Sequence, residues 1–191
     1  MSDGNSHFPS LQTERLFLRN VTPEDASFIF KLYSNPEVCR YLYDEEIYTS
    51  LDDAREFIEW NQHPEETGNN RWLILRKDDG EPIGTCGYDS WDSENRIAEI
   101  GYDLWQDEWG KGYMKETLAA AIKSGFDNMG LNRINAYTAI KNEKSSKLLE
   151  SLGFIKEGIY RDKHLFRGSF YDHFSYSLLK RDWMRRLSEE K

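Results

Sequence analysis

The chain has 191 residues, with 25 Lys and Arg against 34 Asp and Glu, and a formal net charge of −9 at pH 7. A chain of this length fits one domain with a full hydrophobic core. The acidic balance argues against direct binding of DNA or RNA, because nucleic-acid-binding proteins usually carry a basic surface. A negative field favours a cationic substrate, although ordinary solubility explains the same charge.

The two cysteines, Cys39 and Cys86, lie far apart and in no metal-ligand spacing. They argue against a disulfide scaffold or a zinc site and for a reducing compartment, with both thiols buried as small apolar groups. No basic-then-apolar leader opens the sequence, and no apolar run approaches the roughly 20 residues of a membrane span. The sequence therefore predicts a soluble cytoplasmic protein with no metal and no membrane partner.

Hydrophobic periodicity and turn residues predict strands and helices in a single domain over residues 11–187. In chain order they are strand 16–19, a helix from Thr22 that ends before Asn35-Pro36, helix 51–62, strands 71–75, 82–90 and 96–104, helix 114–129, strand 133–139, a helix from Asn142 to Gly153, and strands 154–161 and 170–179. Helix 51–62 is predicted to turn Phe57, Ile58 and Trp60 inward. Residues 1–10 are predicted to be disordered and 188–191 to fray. This order predicts an α/β domain with a mixed sheet and helices on both faces.

Two glycines mark the turn Trp109-Gly110-Lys111-Gly112-Tyr113. Glycine allows a positive φ or the close approach of a ligand to the backbone. The turn opens into a helix, whose free N–H groups and positive dipole end favour phosphate oxygens. A glycine pair before a helix is also ordinary turn chemistry. The dinucleotide fingerprint does not fit, because Lys115 stands where its third glycine belongs, and no Gly-Lys-Ser/Thr follows.

Four short motifs in this order resemble the GNAT-type (Gcn5-related) acyl-CoA N-acyltransferases. They are Glu99-Ile100-Gly101-Tyr102, the glycine turn, Asn142-Glu143-Lys144-Ser145 and Leu152-Gly153-Phe154. Glu157-Gly158-Ile159-Tyr160-Arg161, with the later Gly168 and Asp172, resembles the branch of RimJ/RimL-type ribosomal-protein N-terminal acetyltransferases. The resemblance covers residues 16–183. It implies a single-domain GNAT-like fold with a mixed, mostly antiparallel twisted sheet.

The resemblance implies acetyl-CoA as the co-substrate. Its pyrophosphate would lie on the backbone amides of Trp109, Gly110, Lys111, Gly112, Tyr113 and Met114, and its pantetheine arm along the strand edge at Tyr102, Asp103 and Leu104. Asn142 would reach the pantetheine or the acetyl end, and capping the following helix is its alternative role. Trp109 replaces the Gln or Arg that is usual in the family. Met114 places a bulky side chain at the start of the helix.

Direct transfer of an acetyl group to an amine needs a base for the amine proton and a group at the leaving thiolate. Glu99 is the predicted base, since a carboxylate mid-strand among apolar neighbours is costly unless it is used or paired. A cross-strand ion pair with Arg or Lys is the alternative. Leu149 stands where many GNAT enzymes carry a proton-donating tyrosine. The resemblance implies Ser145 as the substitute acid, with an ordinary first-turn serine as the alternative.

The acceptor implied by the resemblance is a primary amine, first of all a protein N-terminus. A small amine, such as an antibiotic or a polyamine, is the enzymatic alternative. Because Leu149 replaces the proton-donating tyrosine, a catalytically silent acyl-CoA-binding module is a further alternative. Aromatic and acidic side chains are the candidates to line an acceptor cleft: Tyr41, Tyr43, Trp91, Asp44, Glu45 and Glu46. Homodimers occur in this branch, so a homodimer stays open beside a monomer.

Overall fold

Eight strands form one sheet in the order β1-β2-β3-β4-β5-β6-β8-β7 in the computed structural model, which describes residues 7–189. The strands are β1 (Leu11–Gln12), β2 (Leu16–Asn20), β3 (Asn70–Arg76), β4 (Pro82–Asp92), β5 (Ile97–Leu104), β6 (Arg133–Ala139), β7 (Ile155–Phe166) and β8 (Ser169–Leu179). The helices are α1 (Ala26–Tyr33), α2 (Leu51–Asn61), α3 (Pro64–Thr67), α4 (Tyr113–Asp127), α5 (Glu143–Ser151) and α6 (Lys180–Glu189).

All neighbouring strands pair antiparallel except β5 and β6, which pair parallel. This parallel ladder is short: Ile97 lies opposite Arg133, Ala98 opposite Ile134 and Glu99 opposite Asn135. Beyond Glu99 no β6 residue in the described part of the chain pairs with β5, whereas β4 stays paired with β5 as far as Leu104. The two parallel strands therefore diverge, and one backbone edge of β5 from Ile100 onward is open.

The sheet carries helices on both faces, as predicted. Strand β3 shows why, because its side chains alternate with the period of two that a strand imposes. Trp72 belongs to the core under α4 and α5, and Leu73 belongs to the core under α1 and α2. Both side chains are at most 1% exposed.

Two details of burial differ from the sequence-based expectation. Trp60 is 63% exposed, so its predicted inward position is wrong. The buried positions of α2 are Ala54, Ile58 and Asn61, and Trp60 lies about 200° around the helix from Ile58 because each residue advances by about 100°. Cys86 is buried as expected, but Cys39 is only half-buried.

The chain ends also differ from expectation. Phe8 is 1% exposed and its ring lies 5.5 Å from that of Trp91, so residues 7–10 of the segment predicted to be disordered are packed on the domain. Helix α6 was not predicted and extends to Glu189, past the expected fraying point, with Trp183 only 8% exposed. The expectations for residues 1–6 and 190–191 lie outside the described residues. No helix within residues 7–189 is long and apolar enough to cross a membrane.

Candidate active site

The open edge of β5 meets the glycine turn and the start of α5. The Trp109 indole N–H donates to the Leu104 carbonyl at 2.8 Å, which ties the turn to the end of β5. The Lys144 ammonium lies 4.7 Å from the centre of the Trp109 ring, so the start of α5 covers the same turn. The Tyr102 and Ser145 hydroxyl oxygens are 2.7 Å apart and join β5 to α5. The three predicted segments therefore converge on one cleft.

The glycine turn has the conformation that its sequence suggests. Gly110 has φ 76° and Gly112 has φ 83°, and both values favour glycine strongly. Gly112 is also the N-cap of α4 and no side chain caps that end, so the first N–H groups of the helix are available to an anion. Met114 is 8% exposed and its side chain belongs to the hydrophobic core, so its bulk points away from the turn.

The turn carries a cationic neighbour that the sequence did not reveal. One terminal N–H of Arg15 donates to the Lys111 carbonyl at 3.0 Å, and the Arg15 guanidinium is held by Glu116 at 2.7 Å. Lys111 itself pairs with Glu108 at 3.0 Å. Arg15 is 96 residues from Lys111 in the chain, so only the pairing of β2 within the sheet brings it here.

Glu99 lies at the point where β5 and β6 diverge. Its register neighbours are Asp89 on β4 and Asn135 on β6, and neither is a cation. No ion pair of Glu99 is found among residues 7–189, so the predicted cross-strand alternative is not seen. Burial raises the pKa of Glu99 to about 7, against a partly opposing effect of Lys163, and Asp89 and Asp44 add to the rise. Such a carboxyl group can exchange a proton near neutral pH.

A buried polar network lies beside Glu99 on the same face of β5. The Arg71 guanidinium pairs with Asp89 at 3.1 Å, and the Tyr33 hydroxyl donates to Asp103 at 2.9 Å. Gly101 makes room for Arg71, since a Cβ there would lie 3.0 Å from a guanidinium nitrogen. Burial raises the pKa of Asp103 to about 6, although Arg71 and the Tyr33 hydrogen bond lower it. The Asp103 side chain is thus engaged away from the open edge of β5.

The start of α5 supplies further polar groups. The Asn142 side-chain oxygen accepts the Ser145 backbone N–H at 3.2 Å, so the capping role of Asn142 is confirmed. Leu149, one turn further along α5, is fully buried in the core. Burial raises the pKa of the Tyr102 phenol above its ordinary value, although its hydrogen bond with Ser145 lowers it, so this hydroxyl stays protonated at neutral pH.

The candidate acceptor residues do not all reach the cleft. Trp91 packs on His7 and Phe8 and is excluded. Tyr43 stacks on Tyr171 at 3.8 Å and is held on the C-terminal hairpin of β7 and β8. Asp44 is close enough to raise the pKa values of both Glu99 and Asp103, so its negative charge lies near both carboxyl groups.

The other acids near this segment have partners of their own. Glu45 accepts the Tyr48 hydroxyl at 2.6 Å, and Glu46 pairs with Arg167 at 2.6 Å. Tyr41 is half-buried. Within residues 7–189 no group of three or more His, Cys, Asp or Glu side chains is arranged to hold a metal ion.

A pair of diverging parallel strands beside a glycine turn that opens a helix is an arrangement that fits an acyl-CoA-dependent acyltransferase. A family model described as Acetyltransferase (GNAT) domain matches residues 15–155. The chain therefore belongs to the GNAT acetyltransferase family, as its motifs predicted. Members of this family transfer acetyl groups from acetyl-CoA.

Named relatives agree with this assignment. The uncharacterized N-acetyltransferase p20 of Bacillus licheniformis is 42% identical over 175 residues, which cover 91% of this chain and 98% of that protein. The ribosomal protein uS5-alanine N-acetyltransferase of Escherichia coli (strain K12) is 39% identical over 84 residues, 44% of this chain and 43% of that protein. Its name fits the predicted resemblance to the RimJ/RimL branch.

A solved structure agrees in fold. The spermidine N-acetyltransferase of Vibrio cholerae in complex with CoA and spermine has a TM-score of 0.79 with 24% sequence identity, over 89% of this chain and 98% of that chain. The predicted α/β fold of the GNAT type is confirmed.

Proposed function

We propose that this acetyltransferase acetylates the α-amino group of a protein or peptide by direct transfer, with Glu99 as the base. The observation that carries the proposal is the half-buried Glu99 carboxyl, which lies where β5 and β6 diverge with no cation among its register neighbours. An ordinary α-amino group has a pKa of about 8, close to the raised pKa of this carboxyl. Such an amine is therefore partly neutral at about pH 7 to 8, and the ionised Glu99 carboxylate accepts the proton that its nitrogen loses on bonding to the acetyl carbon.

The open edge of β5 and the turn before α4 fit acetyl-CoA. The N–H groups at the start of α4 would hold the pyrophosphate, and the backbone of Tyr102 to Leu104 would hold the pantetheine arm. Gly110 and Gly112 keep the turn in a conformation that a β-carbon would strain. Acetyl-CoA, when bound, supplies the acetyl group and a thiolate leaving group. Asn142 and Ser145 lie at the start of α5 beside this edge, toward the acetyl end.

A polyamine is the second candidate acceptor. Asp44 and Asp89 both raise the pKa of Glu99 and are acids that can attract a multiply charged cation. Lys163 and Arg71 act against them. The structural neighbour that is named as a spermidine acetyltransferase has the same fold. Its identity of 24% supports the fold alone, so the α-amino group is the first candidate acceptor and the polyamine the second.

The test measures free thiol released from acetyl-CoA with two acceptors, a peptide that begins with alanine and spermidine. An Nα-blocked form of the same peptide is the control. We expect release with the free peptide, little with the blocked one, and a rise in kcat/KM with pH up to about 7 as Glu99 ionises. Faster thiol release with spermidine than with the peptide would make a polyamine the acceptor in place of the α-amino group. Acetyl-CoA binding without turnover of either amine would support a catalytically silent module.

Glu99→Gln tests the base directly. The amide keeps the shape of the side chain but cannot accept the proton, so we expect kcat to fall by about 10²–10⁴-fold while the Kd of acetyl-CoA changes little. Isothermal titration and the thiol assay measure the two quantities on the same preparation. A variant that keeps wild-type kcat would remove Glu99 from the reaction.

A further inference from the structure

Two hydroxyl groups meet beside the open edge of β5, and only one of their two hydrogens can lie between them. The oxygens of Tyr102 and Ser145 are 2.7 Å apart, an ordinary O–H···O distance. Each hydroxyl has one hydrogen to donate. Whichever group donates, the hydrogen of the other hydroxyl is directed elsewhere.

Either hydroxyl can be the donor in this contact. A phenol is intrinsically a better donor than an aliphatic alcohol, since its ordinary pKa is near 10. With Tyr102 as the donor, the Ser145 O–H is left to donate to a third atom. Donation from Tyr102 also polarises the Ser145 O–H, because hydrogen bonds in a chain strengthen one another.

A second contact holds Ser145 through its backbone. Its backbone N–H donates to the Asn142 side chain at 3.2 Å, which fixes the first turn of α5. Leu149 follows one turn later and is fully buried, so the face of α5 next to Ser145 has an alkyl group where many family members carry a phenol. Tyr102 lies on β5 three residues beyond the last β5–β6 pair, at Glu99. A phenol thus reaches Ser145 from the strand and not from the helix.

We propose that Tyr102 is a positioning residue that orients Ser145 to donate its hydrogen bond to the sulfur of CoA as the thiolate leaves. The inference rests on the proposed function. In the step, the amine nitrogen bonds to the acetyl carbon and its proton passes to the Glu99 carboxylate. The C–S bond breaks and its electron pair stays on sulfur. Ser145 stabilises that charge by a hydrogen bond and keeps its own proton, so Tyr102 also stays neutral.

The test uses CoA itself, because a hydrogen bond to the thiolate changes the ionisation of the bound thiol without any acceptor. Ultraviolet absorbance near 240 nm follows thiolate formation between pH 6 and 9. An unperturbed thiol has a pKa of about 8.5. We expect bound CoA to hold about tenfold more thiolate than free CoA at pH 7, as a hydrogen bond to a charged group implies.

Three variants separate positioning from a merely structural role. Ser145→Ala should abolish the excess thiolate, and Tyr102→Phe should remove most of it. The double variant should match Ser145→Ala, because the phenol acts only through the serine. Tyr88→Phe is the matched control: it also removes a buried hydroxyl of the same core, one that donates to the Ala121 carbonyl at 2.9 Å. That control should keep the wild-type titration.

A Tyr102→Phe titration equal to that of the wild type overturns the inference. The inference is also overturned if the losses of thiolate in the two single variants add up in the double variant, because the two residues would then act independently. Where wild-type protein binds CoA and acetylates the alanine peptide, these outcomes leave the proposed function intact. Failure of the wild-type protein to bind CoA would instead overturn the proposed function, and the inference with it.

Discussion

Glu99 and Asp103 are both carboxyl groups on one face of β5, yet the structure gives them different surroundings. Asp103 accepts the Tyr33 hydroxyl at 2.9 Å and lies near Arg71. The charged register neighbour of Glu99 is an acid, Asp89, and burial is the main cause of the raised pKa of Glu99, against a partly opposing effect of Lys163. An unpaired carboxylate of this kind lowers stability, which is the usual cost of a reactive group.

This cost predicts how stability changes with pH. The pKa of Glu99 is raised on folding to about 7, so the folded state binds the proton more tightly. The contribution of the protonated group to stability is complete below pH of about 4.5 and is lost as pH rises through about 7. Glu99→Gln removes this loss, so it should raise the free energy of unfolding at pH 8 by roughly 2 kcal/mol and change it little at pH 4.5.

Urea unfolding of the wild type and of Glu99→Gln at both pH values measures the difference. Asp103 titrates in a similar range in both proteins and cancels in the comparison. If Glu99→Gln is only as stable as the wild type at pH 8, or less stable, the Glu99 carboxylate has a stabilising partner in the folded protein.

At the scale of elements, the site depends on how three segments end. Strand β5 loses its β6 partner after Glu99, the glycine turn ends at the uncapped start of α4, and α5 begins at the Asn142 cap. Each of these ends leaves backbone donors or acceptors without a partner in regular structure. If acetyl-CoA binds to these main-chain groups, as proposed, the side chain at position 109 is not needed for its binding, and Trp109 can replace the usual Gln or Arg.

The glycine turn can be tested against a matched glycine elsewhere. Gly110 and Gly80 have φ of 76° and 75°, and a Cβ added at either would meet no atom within 4 Å. Alanine at either position should cost about 1 kcal/mol of stability because the left-handed conformation is unfavourable for it. Only Gly110→Ala should weaken acetyl-CoA binding, by about tenfold, since only that turn presents amides to the cofactor.

Isothermal titration with acetyl-CoA compares the two variants after their unfolding curves have been matched. Gly80→Ala serves as the control because it lies in the hairpin between β3 and β4. Equal affinities for acetyl-CoA in both variants would place the pyrophosphate away from this turn.

At the scale of the whole molecule, one sheet separates two hydrophobic cores. Helix α4 and the residues of α5 and α6 pack on one face, and α1 and α2 pack on the other. Glu99, Gly101 and Asp103 share the α1 and α2 face, while Tyr102 points to α5 on the other face. The proposed base and the proposed thiolate donor thus reach the cleft from opposite faces of the sheet.

A ligand that binds only the folded domain should raise its melting temperature. At about 100 times its Kd, acetyl-CoA adds roughly 2.7 kcal/mol. For a domain of this size that is a rise of about 5–10 °C. NAD at the same concentration is the control, since the chain lacks the dinucleotide fingerprint. An equal rise with NAD, or no rise with saturating acetyl-CoA, would contradict the proposed binding of this co-substrate at the glycine turn.

The sequence by itself determined the order of the main elements, the glycine turn and Glu99 as the candidate base. These are local properties: strand alternation, positive φ at glycine, and a carboxylate among apolar neighbours. It did not reveal α6, whose buried contact is concentrated in Trp183 and whose other residues are largely polar. It also placed Trp60 inward, because a single aromatic residue does not define the buried face of a helix.

Only the tertiary structure decided which distant groups meet. Arg15 reaches Lys111 across 96 residues, and the Tyr102 hydroxyl reaches Ser145 across 43. It also decided that the register neighbours of Glu99 are Asp89 on β4 and Asn135 on β6, and neither is a cation. The register of β4 against β5 follows from the hydrophobic pattern and the short turn between these two strands. The divergence of β5 from β6 arises instead from the packing of the whole sheet between its two cores, which no local pattern in the sequence encodes.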